Sequence, residues 1–262
     1  MSEGAITVIQ IQKEMIEDIP VLHVGKDQVF KEKAPLVIFI HGFESAKEHN
    51  LHYAYLLAEK GFRVVLPEIL FHGERQTESS QMEVLFKFWE IILKTIHEIN
   101  VIKNYYVKSG NTDPDRIGLV GTSMGGIITS GALTKYDWIK AAVILMGSPN
   151  YEAFALEQIQ KLKNNGIKIP LTDKELQDQI SALEEYDLSK HLELIKMRPI
   201  LFWHGVKDNM VPYQPTYDFY KRIQYLYAEA PERLEFITDK NSGHKVSRNG
   251  LLKTVDWFER WL

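Results

Sequence analysis

A serine set between two glycines, Gly121-Thr122-Ser123-Met124-Gly125, is the segment of this sequence best suited to covalent chemistry. The apolar run Ile117-Gly118-Leu119-Val120 precedes it and reads as a buried strand; Gly126 to Leu133 follows and reads as a helix. A G-x-S-x-G turn between strand and helix is so tight that bulk two residues to either side of the serine would clash. It holds the serine in a strained conformation with the hydroxyl exposed above the strand end. The chemistry this favours is nucleophilic attack. A phosphate-binding loop is disfavoured, because there is no Gly-Lys-Ser/Thr and no G-x-G-x-x-G after the first strand.

A serine hydroxyl is a weak nucleophile at neutral pH and needs a general base, itself oriented by an acid. For a serine on such an elbow the partners follow in the order Asp/Glu, then His, on loops after later strands. Asp208 stands a few residues past the strand ending at Trp203 and is the expected acid, with Asp239 and Asp218 as fallbacks. His244, in Asn241-Ser242-Gly243-His244, is the one histidine after Asp208 and is the expected base. An oxyanion hole needs two backbone N–H groups: Met124, directly after the serine, and Phe43, after the strand ending at Ile40, are the expected donors, with Gly42 allowing close approach. His41 is expected to be structural. Phe43, Met210, Tyr151 and Phe154 are the expected substrate-binding side chains, and their apolar character predicts short to medium acyl chains. His-Gly recurs at His72-Gly73 and His204-Gly205, and His49 and His52 sit about one helical turn apart, but no carboxylate cluster at zinc-site spacing accompanies them. No metal and no cofactor are therefore expected. Glu68, after Pro67, either faces the cleft or is a surface carboxylate.

The elements that must position these residues alternate. Ala5–Ile11 and Ile19–Val24 read as an antiparallel pair; Leu36–Ile40, Phe62–Leu66, Ile117–Val120, Ala141–Met146, Pro199–Trp203 and Leu234–Ile237 read as further strands. Between them lie a helix with Leu51, Tyr55 and Ala58 on one face and Gly61 as its stop, and a long amphipathic segment through Leu85, Phe88, Trp89, Ile92, Ile96 and Ile99. A turn is expected at 111–115 and a closing helix at 255–262. This alternation predicts an α/β fold, a mostly parallel sheet with helices on both faces. The stretch 151–197 is helical in pattern and too long for an ordinary connection, so the expected organisation is a core of 1–150 and 198–262 with a small helical cap at 151–197.

The 262 residues are 45% hydrophobic and 25% charged, enough to bury a large core, and the formal charge of -4 gives no reason to expect nucleic acid or an anionic membrane as partner. The absence of cysteine excludes disulfides and thiol chemistry and fits a reducing cytoplasm. No signal peptide is expected, and no apolar run is long enough to span a bilayer. The oligomeric state stays open.

The chain resembles the α/β-hydrolase superfamily, and within it the small bacterial carboxylesterases related to dienelactone hydrolase and prolyl oligopeptidase. The resemblance runs from about Leu36 to the C-terminus and rests on His41-Gly42-Phe43, the segment 67–75, the Ser123 elbow, the Asp208 loop and Ser242-Gly243-His244. It implies a Ser123 nucleophile, a His244 base and a Asp208 acid acting on a small-molecule ester. Dienelactone hydrolases proper use a cysteine nucleophile, which this chain lacks. Peptidase, thioesterase and acyl-transferase activity, or a catalytically idle binding protein, are the alternatives that the same residues leave open.

Overall fold

The computed structural model describes residues 8–262, and the chain enters as an antiparallel hairpin of β1 (Ile9–Ile16) and β2 (Ile19–Lys26). The first strand was expected from Ala5; residues 5–7 lie outside the described residues. Then come β3 (Ala34–Ile40), α1 (Leu51–Glu59), β4 (Arg63–Pro67), α2 (Gln81–Phe86), α3 (Phe88–Lys108), β5 (Thr112–Thr122), α4 (Met124–Lys135) and β6 (Ala141–Leu145). The chain finishes with α5 (Tyr151–Asn164), α6 (Asp173–Leu183), β7 (Ile200–Gly205), α7 (Tyr213–Ile223), β8 (Leu234–Asp239) and α8 (Arg248–Trp261). The described strands form one sheet in the order β1-β2-β4-β3-β5-β6-β7-β8. β2 runs antiparallel to both its neighbours, and every pairing from β4 across to β8 is parallel.

Strand side chains alternate between faces, so each apolar strand feeds two cores. From β3, Leu36, Ile38 and Ile40 join Ile92, Ile96 and Ile99 of α3 and Ile127 of α4. Val37 and Phe39 point the other way, to Tyr53 and Leu57 of α1 and Phe258 of α8. Burial on both faces explains why these strands read as continuous apolar runs.

Four local expectations are corrected. Residues 111–115 do not form a free turn: β5 starts at Thr112, and the register jumps between the pairs Ala34–Thr112 and Leu36–Ile117, so the extra residues bulge, with the Asp115 N–H donating to Asp113 Oδ1 at 3.2 Å. Tyr55 is half exposed; the buried face of α1 is Tyr53, Ala54, Leu57 and Ala58. The long amphipathic segment is two helices that break at Lys87, and α2 begins with a reciprocal Ser80–Glu83 capping box. The closing helix starts at Arg248, where the Ser247 hydroxyl accepts from the Gly250 N–H.

Candidate active site

β5 ends at Thr122 and α4 begins at Met124, so Ser123 alone makes the turn, at φ 56° and ψ −119°. Side chains other than glycine rarely adopt this conformation, and it costs about 1–3 kcal/mol. The turn is secured on both sides: the Ser123 N–H donates to Leu145 O at 2.9 Å and the Ile127 N–H to Ser123 O at 3.0 Å. A Cβ on Gly121 would lie 2.1 Å from Gly125 O, and one on Gly125 would lie 2.1 Å from Ile40 O. Backbone meets backbone at both positions, so neither tolerates a side chain.

The loop from β8 to α8 carries His244, whose Nε2 lies 2.7 Å from Ser123 Oγ and whose Nδ1 lies 2.7 Å from Asp208 Oδ2. Asp208, buried on the turn after β7, accepts the N–H groups of Met210 (2.9 Å) and Val211 (3.0 Å) on Oδ1. Burial alone would raise its pKa, but hydrogen bonds from His204 and His244, the His244 charge and the Val211 N–H outweigh it and hold the carboxyl well below its usual range. Asp208 is thus an acceptor, His244 Nδ1 is the donor, and Nε2 is left to accept the Ser123 hydroxyl proton. The fallback acids are engaged elsewhere. Asp218 accepts from Gln214 Nε2 within α7 at 2.7 Å; Asp239 accepts the N–H groups of Asn241 and Ser242 and so shapes the loop that carries His244.

The Met124 N–H lies in the first turn of α4, where helix N–H groups have no internal partner and the helix dipole favours negative charge. Gly42 packs on the serine: a Cβ there would lie 3.3 Å from Ser123 Cβ. Among the described residues neither the Phe43 nor the Met124 N–H has a hydrogen-bond acceptor.

Under this loop lies a buried charge cluster that the sequence did not disclose. Glu68 is neither cleft-facing nor on the surface; its side chain and that of Lys47 are buried, with Lys47 Nζ 2.7 Å from Glu68 Oε2. Glu68 also accepts the N–H groups of Lys47 and Glu74, each at 3.1 Å, and approaches His41 Nε2 at 3.2 Å. Burial pushes its carboxyl up, but the contacts with His41, Lys47 and these N–H groups outweigh it and hold the pKa at about 2. Both His41 nitrogens are engaged beneath the loop: Nδ1 lies 2.8 Å from Gly42 O, and Nε2 lies 3.1 Å from the Ile69 nitrogen as well as beside Glu68. Glu48, Glu68 and Glu74 converge closely enough to suggest a cation site, but the Lys47 ammonium already occupies the centre, 2.6 Å from Glu74 and 3.0 Å from Glu48.

The match to known proteins follows this geometry. The model of the Prolyl oligopeptidase family matches residues 49–262. The chain belongs to that family. Similar members include YitV of Bacillus subtilis (strain 168), 54% identical over 97% of this chain and the whole of that protein, and Esterase YjfP of Escherichia coli (strain K12), 30% identical over 97% and 100%. This prolyl oligopeptidase-family protein is a hydrolase of the esterase type. Its fold is that of the α/β-hydrolases. TT1662 from Thermus thermophilus superposes with a TM-score of 0.74 at 20% identity, covering 97% of this chain and 98% of the other. The acylaminoacyl peptidase of Pyrococcus horikoshii gives 0.71 at 21% identity, covering 98% of this chain and 42% of the peptidase.

Two cavities flank the site of this family member. An apolar one of about 250 Å³ lies between α3, α5 and α6, lined by Phe88, Trp89, Leu162, Leu176, Ile180 and, from the turn after Asp208, Met210. A polar one of about 300 Å³ lies beside Phe43. The Phe43 ring stands between them, its centroid 5.7 Å from that of Phe88 and 5.2 Å from that of His72. Tyr151 and Phe154, expected to bind substrate, do not line either cavity. Both are buried beneath Trp89, and the Tyr151 hydroxyl donates to Ile127 O at 2.6 Å. The face of α5 that carries them packs on the core, while Ile159 and Leu162 turn to the cavity.

Proposed function

We propose that this protein is a serine carboxylesterase that cleaves small-molecule esters of short to medium acyl chains through an acyl-enzyme. One observation carries the reading: a continuous hydrogen-bonded chain from Ser123 Oγ through both His244 nitrogens to Asp208, with 2.7 Å at each step. His244 takes the Ser123 proton as Oγ attacks the ester carbonyl, and Asp208 holds the ring and stabilises its positive form. The Phe43 and Met124 N–H groups receive the oxyanion. His244 then protonates the leaving alcohol, and later activates the water that releases the acid and restores Ser123.

The apolar cavity supports the acyl preference. Met210 ties it to the Asp208 turn, and Phe88 ties it to the oxyanion loop through Phe43. We take α5 and α6 as a helical cap, residues 151–197, over this acyl site. No described helix is long and apolar enough to cross a membrane; a cytoplasmic setting fits a chain without cysteine.

Reaction with a fluorophosphonate probe, beside turnover of a p-nitrophenyl ester series, tests the assignment. The unaltered protein labels and turns over, with rates falling at long acyl chains. Ser123→Ala does not label and loses about 10⁴–10⁶ in kcat. Normal turnover by a folded Ser123→Ala protein would end this reading.

A further inference from the structure

The polar cavity beside Phe43 plays no part in the mechanism above. Its walls are of a different chemistry from those of the apolar cavity: Glu44, Ser45, Gln76 and Ser79 line it, and no lysine or arginine is among its lining residues. His72 also lines it. This ring is 4% exposed, and its Nδ1 lies 2.9 Å from Leu70 O, to which only an N–H can donate. Burial lowers the pKa of the imidazole, so the ring is neutral and Nε2 is left as a bare acceptor. Among the described residues no donor reaches Nε2. Nε2 keeps some accessible surface although the residue as a whole is buried, so an O–H donor from a ligand or water can meet it.

The walls are also strained. Glu44 (φ 58°) and Phe71 (φ 64°) both hold left-handed backbone conformations that non-glycine residues seldom adopt, and both line this one cavity. Phe43 lines this cavity and packs its ring on His72, and in the proposed reaction its N–H receives the oxyanion. An ester whose carbonyl oxygen sits at that N–H, with its acyl chain past Phe88, directs its alcohol toward His72.

We propose that this cavity receives the alcohol half of the substrate and selects esters of neutral, polyhydroxylated alcohols of the glycerol or sugar type, with His72 Nε2 accepting a hydroxyl proton. The inference rests on the serine-esterase reading and adds the leaving group to it. A ring acceptor, a carboxylate, hydroxyls and an amide suit a ligand rich in O–H donors, and the lack of a lining cation disfavours an anionic one.

The test compares kcat/KM for glycerol monobutyrate and propyl butyrate, which share an acyl group and an alcohol carbon count and differ in hydroxyls. The unaltered protein prefers the glycerol ester by about tenfold or more, the worth of one buried hydrogen bond. In His72→Phe, which keeps a ring against Phe43 but removes the acceptor, the preference collapses, chiefly through KM for the glycerol ester. Gln76→Ala, at an exposed position, lowers the same ratio by a smaller factor, and methyl glucoside inhibits propyl butyrate hydrolysis competitively in the unaltered protein. These last two readouts decide the matter if His72→Phe does not fold. Fluorophosphonate labelling of Ser123 runs alongside. Labelling with a glycerol-to-propyl ratio near one overturns the inference and leaves the esterase reading standing, as does a preference that both variants retain. Absence of labelling overturns the esterase reading itself.

Discussion

Asp208 serves two partners with two oxygens. Oδ1 closes its own turn through the Met210 and Val211 N–H groups, and Oδ2 faces His244. Replacing it with asparagine keeps an acceptor for the turn but offers His244 Nδ1 an amide, which favours the wrong tautomer. We expect Asp208→Asn to remain folded by thermal melting and to lose about 10⁴ in kcat; a loss under tenfold would show that another group orients His244. That Ser123, Asp208 and His244 come together was legible because a glycine-flanked turn and a fixed chain order leave few choices. Tyr151 and Phe154 were misplaced because composition shows that a helix is amphipathic but not which part of its apolar stripe faces a cavity and which faces the sheet. His72 was visible only as a repeated His-Gly pair; its free nitrogen depends on Leu70 O, which no motif encodes.

At the scale of elements, the buried Lys47–Glu68 pair joins the β3–α1 loop, which carries Phe43, to the segment after β4. Arg75 continues the clamp, reaching Glu68 O and gripping both Glu98 oxygens of α3 at 2.9 Å. Glu68→Gln leaves the Lys47 ammonium buried with a weaker partner, and we expect a loss of about 3 kcal/mol or more at pH 7. The pH dependence follows from the sign of the shift. The folded-state pKa of about 2 lies below the ordinary 4.5, so the charged Glu68 stabilises fully above 4.5, and that stabilisation fades as pH falls through 2. The denaturation gap between unaltered protein and Glu68→Gln should narrow from pH 5 to pH 2; a constant gap would mean that Glu68 acts by packing alone. The sequence could not reveal this pair. Lys47 and Glu68 are 21 residues apart, and only the side-by-side pairing of β3 and β4 brings them together.

On the scale of the whole molecule, the order of strands and helices was legible almost throughout, because strands buried on both faces announce themselves as apolar runs. The boundaries were not, since the β5 bulge and the Lys87 break are set by neighbouring elements rather than by local composition. On the proposed reading α5 and α6 set substrate size, and α5 is held to α3 by the bond from Trp89 Nε1 to Gln158 Oε1 at 3.0 Å. Filling the apolar cavity with Ile180→Trp should shift the preference among p-nitrophenyl esters toward acetate and cut octanoate turnover by about tenfold or more, with acetate turnover nearly unchanged. Equal losses across the series would show that acyl chains lie elsewhere.

The crowding at Gly121 and Gly125 divides the molecule by what it lets change. Both positions press main chain on main chain, so any substitution there meets an obstacle that no rotamer can relieve. The residues around the two cavities instead border empty space. On the proposed reading, laboratory evolution of this protein has an unequal landscape: the Ser123 turn is closed to variation, while the choice of acid and alcohol is free to drift around it.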